Sequence, residues 1–362
     1  MDNVLDRIVE RILSENPSRD DIEEIKLESC SELGASKVPS NNEILNHVSG
    51  QTREEIRDVL QTSPVRSSSG VSPVTIMTHP VNVCPHGRCF FCPAGKDSQF
   101  DNTQLSYPGG PSVRRAQDED YDPYGQTRRR ISQLHYNGHP VDKIELIIKS
   151  ATFTSRSHDY QRWFIRRALE AMNDYDTDVL PDNLEKDTFS EENPEFKYMS
   201  DVINENENSS DVRCIGITVE TKPDWCDDYR QINRLLESGV TKVEMGVQTT
   251  YDEINENMHR GHGKKESKKA NKILRDSGMK VGFHMMPGLP GMDEEMILND
   301  FDRIFNKDEW KPDYLKIYPA LVVPGTRLYD MWRKNMFEPL NSEEAADLVA
   351  KIKEKIPRLT RL

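Results

Sequence analysis

The chain shows two rhythms of apolar residues, and the change between them falls near residue 63. Before it, apolar side chains recur three or four positions apart, which is typical of amphipathic helices. The groups are Val4, Leu5, Ile8 and Ile12; Ile22, Ile25 and Leu33; Ile44, Leu45 and Val48; and Ile56, Val59 and Leu60. Pro17 and Pro39 separate these groups, since proline rarely continues a helix. We therefore predict a small N-terminal helical domain over residues 1–62 and a linker over 63–73.

From residue 74 onward, short runs rich in β-branched residues alternate with helical patterns. The six runs cover residues 74–77, 144–148, 215–219, 243–247, 281–284 and 314–318. Helical patterns between them include one from Trp225 to Gly239, one that closes at Gly278 and one that begins at Asp293. Strands that alternate with helices form a parallel sheet wound in one hand. We therefore predict an α/β fold, a partial (β/α)6 barrel of the TIM type over 74–335, and a C-terminal helix within 336–362.

Composition and charge narrow the class of protein. Charged residues make up 30% of the 362 residues, and no apolar run approaches membrane-spanning length, so we expect a soluble protein. The net charge of −14 argues against a uniformly basic nucleic-acid binder. The segment 174–211 holds thirteen Asp or Glu residues and only two basic ones, Lys186 and Lys197. We expect this segment to be an acidic, flexible insertion.

Three cysteines stand within nine residues, at Cys84, Cys89 and Cys92. The C-x4-C-x2-C spacing suits a loop around a [4Fe–4S] cluster, and three thiolates would leave one iron open to a second molecule. Structural zinc usually takes four ligands, so a zinc site completed by His86 or His79 is the alternative. A disulfide is less favoured, because six cysteines without a signal peptide indicate a reducing, cytoplasmic location.

Polar residues follow the ends of the predicted strands, where α/β barrels gather their functional groups. The polar candidates, in chain order, are Ser150, Thr152, Glu220, Gln248, His284 and Tyr318, and the small residue Ala151 stands between the first two. Buried parallel strands are otherwise nearly continuous apolar runs, so polar groups there need partners. We predict that Ser150 to Thr152, Glu220, Gln248 and His284 bind a cofactor and that Glu220 and Tyr318 are catalytic. The alternative is that some of these side chains only hydrogen-bond neighbouring loops.

Several segments, spread from about residue 37 to residue 361, carry a resemblance to a known family. They are KVPSNNEIL (37–45), CPHGRCFFCP (84–93), YDPYGQTR (121–128), GHPVDK (138–143), IGITVETKPD (215–224), GVQT (246–249), RGH (260–262), HMMPGLP (284–290) and LKIYP (315–319). With these segments the chain resembles the catalytic subunits of Elongator, especially the archaeal ones. That family consists of radical S-adenosylmethionine (SAM) enzymes that modify the wobble uridine of tRNA.

The resemblance implies a specific set of cofactors. Cys84, Cys89 and Cys92 would hold a [4Fe–4S] cluster, with SAM on its open iron, in a barrel of the radical SAM class. Reductive cleavage of SAM would give a 5′-deoxyadenosyl radical that takes a hydrogen from acetyl-CoA. The activated acetyl group would then attack the uracil ring, and hydrolysis would leave a carboxymethyl group. The family's lysine that contacts acetyl-CoA maps to Lys143.

The chain departs from the family pattern in two places. Ser150 and Ala151 stand where the family usually has two glycines, and the added Cβ atoms are expected to weaken SAM binding, because they occupy space near its methionine end. The chain also stops at Leu362, whereas the family continues into an acetyltransferase-like domain. We therefore expect the radical half alone, with a separate chain or missing domain of acetyltransferase fold as its partner.

Clusters of basic residues suggest tRNA as the partner, despite the acidic whole. They are Arg114 and Arg115; Arg128, Arg129 and Arg130; Arg156, Arg162, Arg166 and Arg167; and Lys264, Lys265, Lys268, Lys269 and Lys272. An anticodon loop needs phosphate contacts for affinity and a pocket for a splayed base. We predict weak, salt-dependent tRNA binding, with the N-terminal domain as a further possible contact.

Three other functions stay open at this point. The chain could be a catalytically impaired tRNA-binding or assembly subunit, a zinc-binding structural protein, or a different radical SAM enzyme such as a relative of coproporphyrinogen oxidase. Formation of 5′-deoxyadenosine separates the first of these from an active enzyme, and metal analysis separates the second.

Overall fold

The computed structural model describes residues 1–81, 84–95, 99–100, 102–176, 189 and 198–362. Its centre is a six-stranded parallel sheet whose strands follow one another in chain order. The strands are β1 (Ser72–Met77), β2 (Lys143–Lys149), β3 (Arg213–Thr221), β4 (Val240–Gln248), β5 (Lys280–Met285) and β6 (Tyr314–Ile317). The predicted partial (β/α)6 barrel is therefore confirmed, with all six strands at the predicted places.

Helices cover the outer face of this sheet and one helical group precedes it. They are α1 (Asp2–Glu15), α2 (Ile22–Glu32), α3 (Asn41–Leu45), α4 (Gly50–Leu60), α5 (Pro111–Asp118), α6 (Pro123–Tyr136), α7 (His158–Asn173), α8 (Met199–Asn208), α9 (Tyr229–Glu237), α10 (Asp252–Asn257), α11 (Lys264–Asp276), α12 (Glu294–Asn306), α13 (Arg327–Arg333) and α14 (Ser342–Glu354). Of the helices in the described part of the chain, none is long and apolar enough to cross a membrane.

Alternate residues of each strand point to opposite faces, and this alternation divides the barrel into two environments. In β4 the apolar residues Val243, Met245 and Val247 are buried in the main core, together with Phe283 of β5 and Phe164 of α7. The residues between them in β4 are polar or glycine. The apolar core therefore lies between sheet and helices, and the polar face of the strands is left for the barrel interior.

Local capping explains where the predicted helices begin and end. Asp293 caps α12 by accepting a hydrogen bond from the Met296 amide at 2.8 Å, as expected for an N-cap aspartate. Gly278 has a φ of +78° directly after α11, the conformation that glycine adopts most easily. The pattern that starts at Trp225 yields a helix only from Tyr229, because Asp228 caps it there.

The N-terminal helices α1 to α4 bury a core of their own. Its members are Val4, Leu5, Ile8, Val9, Ile12, Ile22, Ile25, Cys30, Ile44, Leu45, Ile56 and Leu60. Asn42 donates to Asn137 at 2.7 Å, and Arg53 donates to the carbonyl of His135 at 2.7 Å. These bonds attach the helical group to the end of α6.

Most of the predicted acidic insertion, 174–211, lies outside the described residues. Its last part is not an irregular segment but the helix α8, in which Met199 and Val202 are buried and Asn206 donates to the Val212 carbonyl at 3.0 Å. These three positions lie three or four residues apart and so share one face. The segment is so rich in acidic residues that its composition alone does not indicate this helical spacing.

Candidate cofactor site

The three clustered cysteines lie in a loop beyond the carboxyl end of β1. All three side chains are buried, and all six cysteines of the chain are thiols. The loop turns tightly: the Gly87 amide donates to the Cys84 carbonyl at 2.9 Å, and the Cys92 amide donates to the Cys89 carbonyl at 3.1 Å. Ala151, which follows β2, packs against the same thiols. The strand ends therefore hold the cysteine loop over the mouth of the barrel.

Cys89 is surrounded by groups that favour its ionised form. Arg260 Nη1 donates to Cys89 Sγ at 3.3 Å, and His86 Nε2 lies 3.2 Å from the same sulfur. A hydrogen bond from Cys92 lowers the pKa of Cys89, and the charge of Arg260 adds to this against the opposing effect of burial. The same hydrogen bond and burial raise the pKa of Cys92. The contacts therefore favour ionisation of Cys89 over that of Cys92.

This donor set fits an iron–sulfur cluster with three protein ligands. Thiolates are the usual ligands of such clusters, and a buried guanidinium offsets part of their negative charge. Zinc would use the same thiolates and a fourth ligand. His79, one of the two predicted zinc ligands, turns instead to the Pro80 carbonyl at 3.1 Å and packs on the Tyr121 ring. His86 remains beside Cys89, so metal analysis separates the two alternatives.

A cavity of about 280 Å³ opens beside Cys92, close to the lower end of the roughly 300–1,000 Å³ of small-molecule sites. Of the residues predicted from the sequence, it is lined by Cys92, Ser150, Ala151, Glu220, Gln248, His284 and Tyr318. Thr152 lies next to it, with its hydroxyl 3.8 Å from Cys84 Sγ. The structure thus brings nearly all the predicted residues together.

Lys143 does not join this group. It is the first residue of β2, at the opposite edge of the sheet, and its side chain is 55% exposed and paired with Asp142 at 2.7 Å. The geometry therefore does not support Lys143 as a ligand of a cofactor in this cavity. Its position at the start of a predicted strand already indicated the edge opposite the carboxyl ends, where functional groups of such barrels gather.

Gln248 combines an unusual backbone with an unpartnered side-chain atom. It ends β4 with a φ of +68°, a conformation that side chains other than glycine seldom adopt. Its buried Oε1 has no hydrogen-bond partner among the residues that the structure describes. A buried acceptor without a partner is costly, so Gln248 is suited to accept a hydrogen bond from a bound molecule.

The barrel interior contains a buried ionic network that the sequence analysis missed. Lys316 of β6 donates to Glu244 of β4 and, at 3.4 Å, to Glu220. Tyr107 also donates to Glu220, and His284 Nε2 lies 3.0 Å from Glu244. Glu220, Glu244 and His284 lie close enough to share a metal ion, but the Lys316 ammonium already bonds both carboxylates. The network is therefore complete without an added cation.

Burial and charge act against each other in this network. Burial alone would raise the pKa of Glu244, yet the hydrogen bond from His284 and the charge of Lys316 outweigh it and lower that pKa. Burial alone would lower the pKa of Lys316, yet Glu220 and Glu244 together raise it. Both groups are therefore charged at neutral pH, and each depends on the other.

A signal for this network exists in the sequence. Charged residues stand at alternate positions of strands that are otherwise apolar: Glu145 in β2, Lys242 and Glu244 in β4, and Lys316 in β6. Alternate positions share one face of a strand, and Lys242 indeed donates to Glu145 at 2.8 Å. The pattern could have indicated a charged barrel interior, although not which charges pair.

About half of the residues in the predicted basic clusters pair with carboxylates within the described part of the chain. On α11 the pairs are Lys264 with Asp252, Lys268 with Glu309, Lys269 with Asp227 and Lys272 with Asp276. Arg115 and Arg128 are buried. Arg114 and Lys265 are exposed and make no ion pair within the described residues. The positive charge available to a nucleic acid is therefore smaller than the residue count suggests.

Comparison with known proteins gives matches along almost the whole chain. The family model of the radical SAM superfamily matches residues 78–304, that of the radical SAM C-terminal domain matches 312–362, and that of the ELP3 N-terminal domain matches 1–68. A tRNA uridine(34) acetyltransferase of Methanocaldococcus jannaschii is 41% identical over 98% of this chain and 63% of its own length. Human Elongator complex protein 3 is 34% identical over 94% of this chain and 60% of its own length.

A solved structure also matches most of the chain. The archaeal Elp3 of Methanocaldococcus infernus, lacking its residues 1–46, superposes with a TM-score of 0.63 at 36% identity. The match covers 81% of this chain and 55% of that chain. The present chain thus spans about 60% of the length of the curated relatives it matches.

Proposed function

The chain belongs to the radical SAM superfamily, and from this premise we propose that it is the radical-generating part of an enzyme that carboxymethylates the wobble uridine of tRNA. Membership of the superfamily implies a [4Fe–4S] cluster and SAM as cofactors. The observation that carries the proposal is the group of three buried thiols beside a cavity lined by polar strand-end residues. The alternative of a catalytically impaired assembly subunit is not favoured, because the three buried thiols and the cavity beside Cys92 are both present.

Residues of the chain supply binding, orientation and shielding at this site. Cys84, Cys89 and Cys92 would hold the cluster, which would supply the one-electron chemistry for the reductive cleavage of SAM. Phe91 and Met286 line the cavity and reduce the access of water to it. Gln248 offers an acceptor to a hydroxyl or amino group of SAM. Glu220, fixed by Tyr107 and Lys316, offers a carboxylate of defined position.

Acetyl-CoA and tRNA are the proposed substrates, and the name tRNA uridine(34) acetyltransferase of two relatives supports tRNA and the transfer of an acetyl group. The rim of the cavity is open on the side of Tyr318 and Leu321, which are 45% and 73% exposed. An acetyl group and a splayed uracil could reach the cavity from that side. Tyr318 is the predicted catalytic residue nearest to this opening. We propose a cytoplasmic location, where tRNA is present and thiols stay reduced, and an acetyltransferase-type domain or chain as a further partner.

The proposal is tested by the reaction itself. The chain, reconstituted with iron and sulfide without oxygen, is incubated with tRNA, acetyl-CoA, SAM and dithionite, and the nucleosides are analysed by mass spectrometry. We expect a carboxymethylated wobble uridine that depends on SAM and on the reductant. Cleavage of SAM without any change in the tRNA, also after addition of an acetyltransferase-type partner, would contradict the proposed substrates.

Binding of tRNA should depend measurably on salt. We expect log K to fall with log of the salt concentration with a slope of roughly −2 to −4, since each neutralised phosphate contributes about −0.7 to −0.9. About half of the residues in the predicted basic clusters pair with carboxylates instead. Replacing the exposed Arg114 by glutamine should lower the magnitude of that slope by about one phosphate contact. Filter binding of an anticodon stem-loop at graded salt measures both.

The matched control for this experiment is Lys280→Gln. Lys280 begins β5, at the edge of the sheet opposite the cavity, and its side chain is 63% exposed. The Lys280→Gln substitution should leave the slope of log K against log of the salt concentration unchanged. A flat salt response of the unmodified protein would exclude binding through phosphates.

A further inference from the structure

We propose that Arg260 and His86 act as positioning residues that raise the reduction potential of the cluster through hydrogen bonds to Cys89, and that Lys222 fixes the ring of His86 for this role. The inference rests on the cluster of the proposed function and adds a means of setting its potential. The residues concerned are the RGH segment (260–262) and the cysteine loop. The proposed reaction does not by itself require these two segments to be in contact.

The Arg260 guanidinium connects the loop to the sheet. It is only 5% exposed, and its Nη1 donates to Cys89 Sγ at 3.3 Å while Nη2 donates to the Gly246 carbonyl of β4 at 2.6 Å. The next residue, Gly261, has a φ of +71°, and a Cβ there would lie 2.6 Å from His86 Cβ. Only glycine permits this close approach, so the backbone itself presses the RGH segment against the cysteine loop.

The His86 ring is held by a second charged side chain. Lys222 Nζ lies 2.8 Å from His86 Nδ1 and 3.3 Å from an Asp224 carboxylate oxygen. An ammonium group can only donate, so Nδ1 accepts and the proton of the neutral ring lies on Nε2. That nitrogen is the one 3.2 Å from Cys89 Sγ. The arrangement therefore directs a second N–H to the same sulfur.

The three thiols differ in these contacts. Among the described residues, Cys84 and Cys92 lie near the hydroxyl groups of Thr152 and Ser106, each at 3.8 Å, and Cys92 also donates to Cys89. Cys89 faces a guanidinium and an imidazole. A cluster that takes up one electron from a low-potential donor gains one negative charge. Hydrogen bonds to its sulfur ligands stabilise that charge and raise the potential. We therefore assign this effect to the donors at Cys89.

The test is a redox titration of the reconstituted holoprotein, followed by electron paramagnetic resonance without SAM or tRNA. In Arg260→Met we expect the reduction equilibrium to become less favourable by about tenfold, a shift of about 59 mV to more negative potential. In Lys222→Met we expect a smaller shift in the same direction, since the ring of His86 loses its fixed proton position. Arg53→Met is the control, because the Arg53 guanidinium contacts the carbonyls of Leu45 and His135 in and near the N-terminal helices.

The measured potentials and iron contents of these variants decide whether Arg260 and Lys222 influence the cluster. Negative shifts in the first two variants and none in the control support it. Equal potentials in all proteins, or equal shifts in all three variants, overturn it. Loss of iron from both test variants, when they unfold at the same temperature as the unmodified protein, also overturns it and assigns these residues to cluster retention. An unmodified protein that binds no iron would refute the proposed function itself.

Discussion

Replacing Cys92 by alanine should abolish the cleavage of SAM and the brown colour of the reconstituted protein. Cys92 is one of the three buried thiols and the one that lines the cavity. Loss of a residue that only supports a metal ligand typically costs about 10–100-fold in activity or metal affinity, so loss of a ligand should lower the rate by more than about 100-fold. The same result is expected for Cys84→Ala and Cys89→Ala. The measurement is iron content together with formation of 5′-deoxyadenosine.

The control for the cysteine variants is Cys30→Ala. Cys30 is also a buried thiol, but it lies in the core of the N-terminal helices, and its replacement should leave iron content and SAM cleavage intact. If the Cys92 variant retained iron and cleaved SAM at an unchanged rate, the three-thiolate site would be wrong.

Replacing Glu244 by glutamine should destabilise the protein by about 2–4 kcal/mol, somewhat less than the usual cost of removing one partner of a fully buried ion pair, because the Lys316 side chain keeps some contact with water. Glu244 is 4% exposed and bonds both Lys316 and His284. The variant therefore leaves the Lys316 ammonium, whose side chain is 31% exposed, with a single carboxylate, Glu220. Replacing Lys316 by methionine in the same protein should restore part of the loss. The measurement is the free energy of unfolding by guanidinium chloride.

The pH dependence of this loss has a defined sign. The pKa of Glu244 is lower in the folded protein than its ordinary value, so its contribution is present above the unfolded pKa of about 4.3 and disappears as the pH falls below it. The pKa of Lys316 is raised, so its contribution is present below about 10.4 and is lost as the pH rises above that value. The destabilisation by Glu244→Gln should therefore be constant between about pH 6 and pH 9 and shrink in acid.

Glu294→Gln serves as the control for this variant. Glu294 pairs with Lys351 on the surface, where screening by water makes an ion pair contribute little, so no measurable change in stability is expected. A Glu244→Gln variant as stable as the unmodified protein would show that the network does not hold the barrel interior together.

The fold was predictable because periodicity is a local property. A run rich in β-branched residues predicts each strand. The capping residue Asp293 predicts where α12 begins. The edge of the sheet that carries function follows from parallel topology, which is why Glu220, Gln248 and Tyr318 lie together in the cavity. Predicting these features requires only a few neighbouring residues and the general rule that function lies at the carboxyl ends of parallel strands.

What could not be predicted depends on contacts between distant parts of the chain. Arg260 reaches Cys89 across 171 positions, and Lys316 reaches Glu244 across 72. Lys143 was assigned to cofactor binding from a motif without its place on the sheet, and the structure puts it at the opposite edge. The lysines of α11 form a basic group in sequence, but carboxylates from other segments pair with most of them. The contacts of Cys89, Glu244 and the α11 lysines depend on partners that sequence spacing does not identify. The place of Lys143, by contrast, followed from its position at the start of a strand.

The central claim is that three thiolates hold an iron–sulfur cluster that binds and cleaves SAM. The direct measurement is the metal and sulfide content of protein purified and reconstituted without oxygen, followed by addition of dithionite and SAM and quantification of 5′-deoxyadenosine. We predict about four iron and four sulfide per chain, as in other cubane clusters, and 5′-deoxyadenosine that requires both SAM and the reductant. Stoichiometric zinc without iron, or a cluster that leaves SAM intact, would contradict the account.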